Sequence, residues 1–169
     1  MSAWDDRVEA WRRLLVAHAA ALGAIEADLE AGDQIPLPWY DVLLELDAAP
    51  GRRYRMQELA EHVVLSRSRV SRIVDELQRE GLVVREPDPS DGRASLAVLT
   101  EHGRAALRRA APVYLASIER HFTSHLSDRD RRQLVDALGK VIAAHTHPTQ
   151  RRAPEQARAR YTPHEAATD

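Results

Sequence analysis

The sequence predicts a mainly α fold, a winged helix-turn-helix with long helices at both ends, six helices in all and a small three-stranded sheet. Three observations lead to this prediction. A helix with an apolar stripe is followed at once by two short apolar strands that flank a polar turn. A long heptad-like seam opens the chain, and two more amphipathic helices follow the strands.

The first helix is predicted over residues 3–31, with Ser2 and Asp5 as its capping box and Gly32-Asp33 as its end. Such a seam either covers the core of its own chain or packs against a partner, and a small winged-helix core is too short to cover all of it. Its positions follow alternating steps of four and three: Trp4, Val8, Trp11, Leu15, His18, Leu22, Ile25 and Leu29.

The next segment predicts a short helix, a strand and the first helix of the helix-turn-helix. Pro36 and Pro38 suit the first turn of a helix that ends at Ala49. Tyr54 is predicted to lie in a strand that joins the wing sheet, and residues 56–63 to form a helix. The predicted buried positions are Trp39, Val42, Leu43, Leu46, Leu59 and Val63.

The fourth helix has two different faces. Its apolar stripe recurs at i, i+3, i+4 and i+7 and consists of Val70, Ile73, Val74 and Leu77. The opposite face is polar and basic, and Ser66 is placed to cap the helix. A helix N-terminus attracts phosphate, and an α-helix fits the major groove. The candidate DNA-binding residues of this helix are Ser66, Arg67, Ser68, Arg69, Ser71 and Arg72.

A hairpin is predicted directly after this helix. Strands over residues 82–85 and 96–99 flank a turn over 86–93, because Pro, Asp, Ser and Gly favour turns. Arg93, near the tip, is placed to enter the minor groove beside the helix. Asp91 is placed to orient Arg93 by a charge-assisted hydrogen bond.

Two helices complete the predicted fold. Thr100 caps the fifth, predicted over residues 101–125, in which Pro112 is expected to cause a bend or remove a hydrogen bond. Ser127 caps the sixth, and Asp130 completes a capping box. The apolar positions are Leu107, Ala111, Tyr114, Ile118 and Phe122 in the fifth helix and Leu134, Leu138, Val141 and Ile142 in the sixth.

Composition narrows the class of protein. The chain is 44% hydrophobic and 30% charged, contains no Cys and carries a net charge of −2. No apolar run is long enough to span a membrane, and the beginning is unlike a signal peptide, so we expect a cytoplasmic protein. Binding to DNA then has to rest on local basic patches, such as Arg52, Arg53 and Arg55. No phosphate loop or nucleophile elbow is present, so no enzyme and no cofactor are predicted.

The hairpin carries a resemblance to a known family. Asp91-Gly92-Arg93 followed by Val98-Leu99-Thr100 resembles the Asp-x-Arg…Leu-Thr wing signature of MarR-type transcription regulators. Residues 65–72 resemble that family's recognition helix, and residues 77–83 its exit from helix to strand. The resemblance covers about residues 4–145 and implies a homodimeric repressor that binds a pseudo-palindromic operator in double-stranded DNA.

The resemblance also implies which segments of the chain bind DNA and which form the dimer interface. One domain is expected over residues 1–147, with a DNA-binding lobe at about 50–100. Helices at about 3–31 and 101–146 are expected to form the dimer interface. Residues 148–169 have hardly any large apolar side chain, and this composition predicts a disordered tail.

Regulation by a small aromatic or phenolic ligand is what the resemblance implies for the junction between the dimerisation helices and the DNA-binding lobe. Ordinary core packing is the alternative role for the same residues. The candidates are Trp11, His18, Trp39, Tyr40 and Tyr114.

Two alternatives stay open. A winged-helix module that contacts only proteins would be expected to carry an apolar or acidic face in place of Ser68, Ser71, Arg72 and Arg93. A zinc-responsive regulator could use His121 and His125, which stand at i and i+4. No Cys and no further His-Glu cluster lies nearby in the sequence, so no metal site is predicted.

Overall fold

The computed structural model describes residues 3–63 and 65–145 and confirms the predicted fold class. The capping role predicted for Ser2 and the tail predicted over 148–169 lie outside the described residues. The helices are α1 (Ala3–Ala31), α2 (Leu37–Ala48), α3 (Met56–His62), α4 (Arg67–Arg79), α5 (Glu101–His121) and α6 (Asp128–His145). The strands are β1 (Arg53–Arg55), β2 (Val83–Asp88) and β3 (Asp91–Leu99), and 3-10 turns lie at Pro50–Arg52 and Thr123–His125.

The three strands form an antiparallel sheet in the order β1-β3-β2. The wing hairpin is longer than predicted, because β2 and β3 continue almost to the tip and leave only Pro89 and Ser90 between them. The prediction of a turn over 86–93 was therefore wrong. Pro87 is tolerated inside β2 because β2 is an edge strand, where a missing N–H need not break the ladder. A register shift between Pro87 and Asp88 marks an irregular ladder close to the tip.

The core lies between the helix-turn-helix, the sheet and α2. The apolar stripe of α4 is buried as predicted, and Leu59 and Val63 of the preceding helix are also buried. In α2 the predicted Val42, Leu43 and Leu46 are buried, but Trp39 is only partly so, and Tyr40 takes a buried place that the sequence did not predict.

A hydrogen-bonded junction joins the end of α4 to the start of α5. Gly81 has a φ of +69°, and the N–H of Leu82 donates to the carbonyl of Leu77 at 2.9 Å, the pattern of a Schellman cap. Thr100 Oγ1 lies 2.8 Å from the carbonyl oxygen of Gly81 and accepts a hydrogen bond from the N–H of Gly103 at 3.0 Å. The predicted cap of the fifth helix is therefore confirmed, and it also ties that helix to the wing.

Gly103 is essential to this junction, because a Cβ there would lie 2.1 Å from the carbonyl oxygen of Leu82. We expect Gly103→Ala to lower the free energy of unfolding by about 1–3 kcal/mol, since backbone must move to relieve the overlap. Urea denaturation measures the change. Gly23→Ala is the matched control, because nothing lies within 4 Å of a Cβ there and Gly23 lies outside the heptad seam, and it should stabilise helix α1 by about 0.5–1 kcal/mol. Equal shifts in the two variants would contradict the close contact.

The seam of α1 has two parts. Its C-terminal part joins the core, where Leu29 is only 1% exposed and Ile25 is also buried. In its N-terminal part the seam side chains lie open, with Trp11 61% and Leu15 49% exposed. Among the described residues the seam therefore joins the protomer's own core at Ile25 and Leu29, with Leu22 packed partly against it.

The last two helices leave a second apolar surface. α6 has no buried residue, and Val135, Val141 and Ile142 are each more than half exposed.

The predicted capping box at the start of α6 is confirmed. The N–H of Asp130 donates to Ser127 Oγ at 3.2 Å, and the N–H of Ser127 donates to Asp130 Oδ2 at 3.1 Å.

The fifth helix is shorter than predicted. It continues through Pro112 but ends at His121, because Phe122 leaves helical geometry at φ −138°, ψ −66°. His125 lies in the 3-10 turn that follows, so the two histidines do not share one helix face. Asp28 of α1 holds the end of α5 by accepting from Ser117 Oγ at 2.8 Å.

Candidate nucleic-acid interface

The exposed face of α4 carries the cationic side chains that the sequence predicted. Ser66, Arg67, Ser68, Arg69 and Arg72 are exposed, and Ser71 is half-buried. Within the described residues Arg69 and Arg72 form no ion pair, and Arg67 has only a loose one, 3.9 Å from Glu61 Oε1. These guanidinium groups are free to meet phosphate or base edges.

The capping role predicted for Ser66 was wrong. Ser66 occupies the N-cap position, but its side chain accepts no hydrogen bond from the helix, and its Oγ lies 3.3 Å from Ser68 Oγ. The first-turn N–H groups of α4 are therefore not satisfied by this side chain. Such amides, at the positive end of the helix dipole, are suited to contact a phosphate.

A buried carboxylate organises the wing turn. Asp88, only 7% exposed, accepts hydrogen bonds from Arg55 Nε at 2.5 Å and from the backbone N–H and Oγ of Ser90, each at 2.8 Å. Arg55 Nη2 closes the group by donating to Ser90 Oγ at 2.8 Å. We call Arg55, Asp88 and Ser90 the wing clamp. The hydrogen bonds from Ser90 and then the Arg55 guanidinium lower the pKa of Asp88 to about 2.

The lowered pKa gives a prediction for stability. A carboxyl whose pKa is lower in the folded state stabilises that state above its unfolded pKa, 3.8 for Asp88, and loses this contribution as the pH falls toward its folded pKa. The difference in unfolding free energy between wild type and Asp88→Asn should stay constant down to about pH 5 and shrink between about pH 4 and 2. Urea denaturation across this range measures it. A difference that does not change with pH would show that Asp88 does not act through its charge.

A second ion pair fixes the base of the wing to the recognition helix. Arg85 of β2 donates from Nη2 to Asp75 Oδ1 of α4 at 2.7 Å, and its Nη1 lies 3.4 Å from Ser95 Oγ of β3. Asp75 lies on the exposed side of α4, and its charge is offset by this arginine. The pair therefore ties the helix directly to both strands of the wing.

The basic cluster before α3 is used mainly inside the protomer. Arg52 Nη1 lies 2.5 Å from Glu101 Oε1, and Arg55 belongs to the wing clamp. Two of the three arginines predicted as a local DNA patch are therefore committed to internal ion pairs.

Arg93 and Asp91 lie on β3. Asp91 is its first residue and is paired in register with Asp88, and Arg93 is its third residue. The side chain of Arg93 lies outside the described part of the structure. Its entry into the minor groove and its hydrogen bond with Asp91 stay predictions.

The five predicted ligand residues do not come together in one protomer. Tyr40 of α2 and Tyr114 of α5 pack with ring centroids 4.5 Å apart, and Tyr40 is 3% exposed. Trp39 instead faces the recognition helix, donating from Nε1 to Glu76 Oε2 at 3.0 Å. Trp11 and His18 are exposed on α1. The ligand assignment stays a prediction for all five.

A separate cleft lies between α1 and α5. It has a volume of about 470 Å³. None of the predicted ligand residues lines it. Its lining consists of Asp28, Ala31, Gly32, Pro112, Val113, Ala116, Ser117 and Arg120.

The described residues contain no group of three or more His, Cys, Asp or Glu side chains that could hold a metal ion. His121 Nε2 instead lies 2.9 Å from Asp28 Oδ2. No helix in the described ranges is long and apolar enough to cross a membrane.

Sequence reasoning missed the wing clamp and the pair between Arg85 and Asp75. One signal was present, because an Asp followed two residues later by Ser is typical of a turn in which the carboxylate accepts the later N–H. The partner of that carboxylate, Arg55, is 33 residues away, and no local pattern indicates it.

The chain is similar to known transcription regulators of one family. Residues 33–94 match the MarR family. An uncharacterized HTH-type transcriptional regulator of Bacillus cereus is 32% identical over 120 residues, which cover 69% of this chain and 74% of the relative. Sco3205, a MarR family regulator from Streptomyces coelicolor crystallised in complex with DNA, is 30% identical, with a TM-score of 0.77 over 88% of this chain and 96% of its own. AbsC, a MarR family regulator from the same organism, is 35% identical, with a TM-score of 0.75 over 86% and 95%.

Proposed function

Since the chain belongs to the MarR family of winged helix-turn-helix transcription regulators, we propose that it acts as a cytoplasmic homodimeric repressor. It binds a pseudo-palindromic operator and is released from it by a small aromatic effector. As a member of this family it is a DNA-binding transcription regulator and not an enzyme.

The observation that carries the proposal is the exposed face of α4. Its arginines lack strong partners among the described residues, and its first-turn amides are not capped by Ser66. We assign Arg72, with Ser68 and Ser71, to base edges in the major groove, since arginine pairs well with guanine. Phosphate contacts fall to Ser66, Arg67 and Arg69, and minor-groove contact to Arg93 supported by Asp91. The relative Sco3205 was crystallised with DNA, which supports DNA binding as the function of this fold.

The dimer is proposed from the two open apolar surfaces. The seam side chains Val8, Trp11 and Leu15 of α1, and Val135 and Val141 of α6, are each about half or more exposed in the described part of the protomer. A two-fold dimer would bury both and would present two recognition helices to successive major grooves, with half-site centres roughly 34–36 Å apart. Residues 1–147 are proposed as the extent of this unit.

Selection of bound fragments from random or genomic DNA tests the function, followed by gel shifts against duplexes with one or two half-sites. We expect a dimer by light scattering at micromolar concentration and a clear preference for the two-half-site duplex. A monomer, or equal binding to bulk DNA, would remove the proposed function. The rival protein-interaction module has no reason to expose Arg69 and Arg72 beside a small polar face.

We propose that α2 transmits the effect of ligand binding to the recognition helix. Tyr40 packs on Tyr114 of α5, while the neighbouring Trp39 is hydrogen-bonded to Glu76 of the recognition helix. A ligand that separates the two tyrosine rings would shift α2 and, through Trp39, the recognition helix. It acts only as far as it binds the shifted state more tightly.

Titration with benzoates and phenols should change the fluorescence of Trp39 and release DNA in the same concentration range. Trp39→Phe is the control, because it removes the hydrogen bond to Glu76 and leaves Trp4 and Trp11 as the remaining indoles, so the part of the signal that comes from Trp39 should disappear. Spectral change without loss of DNA binding, or no response across a broad panel, would contradict the effector assignment.

A further inference from the structure

We propose that the wing clamp, Arg55, Asp88 and Ser90, is a positioning device that sets affinity for the flanks of the operator without itself touching DNA. This inference rests on the proposed function, since it assumes that the wing meets the minor groove. It assigns a role in DNA binding to an acidic residue, whose charge taken alone would repel the phosphates.

The clamp joins two parts of the DNA-binding lobe that are far apart in sequence. The backbone N–H of Arg55 donates to Glu58 Oε2 at 3.2 Å, which fixes Arg55 at the start of α3. Its side chain then reaches the wing turn, through Nε to Asp88 and Nη2 to Ser90. The position of the wing tip is thereby tied to the helix-turn-helix and not only to its own hairpin.

The wing needs such a tie because its own ladder is irregular there. The register shifts between Pro87 and Asp88, so the strand pairing that orders the base of the hairpin does not continue evenly to the tip. Four hydrogen bonds meet within the clamp at this point, and the carboxylate at its centre is buried. Removing Arg55 or the hydroxyl of Ser90 leaves the buried carboxylate of Asp88 without part of its hydrogen bonding, which is costly.

Electrostatic repulsion and loss of positioning predict opposite changes in DNA affinity for one substitution, Asp88→Asn. Asp88→Asn removes a negative charge close to DNA, and electrostatic repulsion alone predicts tighter binding. Loss of the clamp predicts weaker binding, because the wing must then be ordered at the moment of association. Arg55→Lys separates the same two effects, since it keeps the positive charge but cannot donate to Asp88 and Ser90 in the fork geometry of a guanidinium.

Glu86→Gln is the matched control. Glu86 is exposed on the same strand as Asp88, and its substitution removes the same charge without changing the clamp. The experiment measures the affinity of each variant for the operator selected by the wild type, and for the same duplex with G·C pairs replacing the flanks beyond the two major-groove sites.

We expect Asp88→Asn and Arg55→Lys each to weaken binding to the full operator by about tenfold, as loss of a charge-assisted hydrogen bond implies. The loss should largely disappear on the flank-substituted duplex. Glu86→Gln should bind as tightly as the wild type or more tightly. The double variant of Arg55 and Asp88 should be no worse than either single one, because both remove the same device.

Asp88→Asn binding as tightly as Glu86→Gln would overturn the clamp and leave the proposed function intact. A wild type that prefers no duplex would overturn both. Thermal unfolding and light scattering check that each variant is folded and dimeric. Should Asp88→Asn fail that check, Ser90→Ala removes only a hydroxyl from the clamp, and an unchanged affinity for the full operator in that variant would equally overturn the inference.

Discussion

Leu15→Glu is expected to convert the protein to a monomer at micromolar concentration and to lower its affinity for the operator by at least about a hundredfold. Leu15 is 49% exposed on the protomer, so the substitution should leave the protomer's own core unchanged. In the proposed dimer the same position is buried, and an unpaired carboxylate there is costly. A protomer alone reads only one half-site and loses the second half of the contacts.

Light scattering and gel shifts measure these two effects together. Ala17→Glu is the matched control, because Ala17 is exposed on α1 about half a turn away from the seam. It should remain dimeric and bind normally. Leu22→Glu is less informative, since Leu22 packs partly against the protomer's core. A dimeric Leu15→Glu variant with normal DNA binding would place the interface elsewhere.

Arg72→Ala is expected to cost about 1–3 kcal/mol of binding free energy and to relax specificity at one base pair. The side chain is exposed and without an ion pair among the described residues, so no internal ion pair is lost with it. Arg93→Ala should weaken binding mainly at A·T-rich flanks, because a narrow minor groove attracts arginine there. Asp91→Ala should resemble a partial loss of Arg93.

Gel shifts over a panel of single base-pair changes distinguish these outcomes. Arg79→Ala serves as control, since Arg79 is exposed at the opposite end of α4 and its loss removes the same charge. We expect it to weaken binding slightly and equally for all sequences. Wild-type affinity in both Arg72→Ala and Arg93→Ala would contradict the proposal that the recognition helix and the wing contact DNA.

Periodicity and local capping signals predicted the elements well. The stripe of α4 was visible because burial on one helix face follows the helical repeat, and Thr100 and Ser127 have capping partners within three residues. Ser66 has the same local signal, yet its hydroxyl lies near that of Ser68. That outcome is decided by side-chain rotamers, which a sequence pattern does not specify.

Contacts between distant segments were harder to predict. The predicted wing strands were too short because Glu86, Pro87 and Asp88 have low strand propensity. In the structure, pairing with β3 overrides that low propensity. The aromatic candidates show the same limit. Composition identified Tyr40 and Tyr114 but could not show that these two meet while Trp11 stays exposed on α1.

The internal ion pairs of Arg52, Arg55 and Arg85 have a consequence for how the protein searches a chromosome. Each of these arginines is paired with an acidic side chain, so these three side chains displace few counterions from DNA that the protein does not recognise. Bulk genomic DNA, with its about 10⁶–10⁹ competing sites, then retains less of the protein than it would if these arginines were unpaired. A small number of copies in the cell would suffice to keep a promoter occupied, and those copies would redistribute quickly once the promoter is vacated.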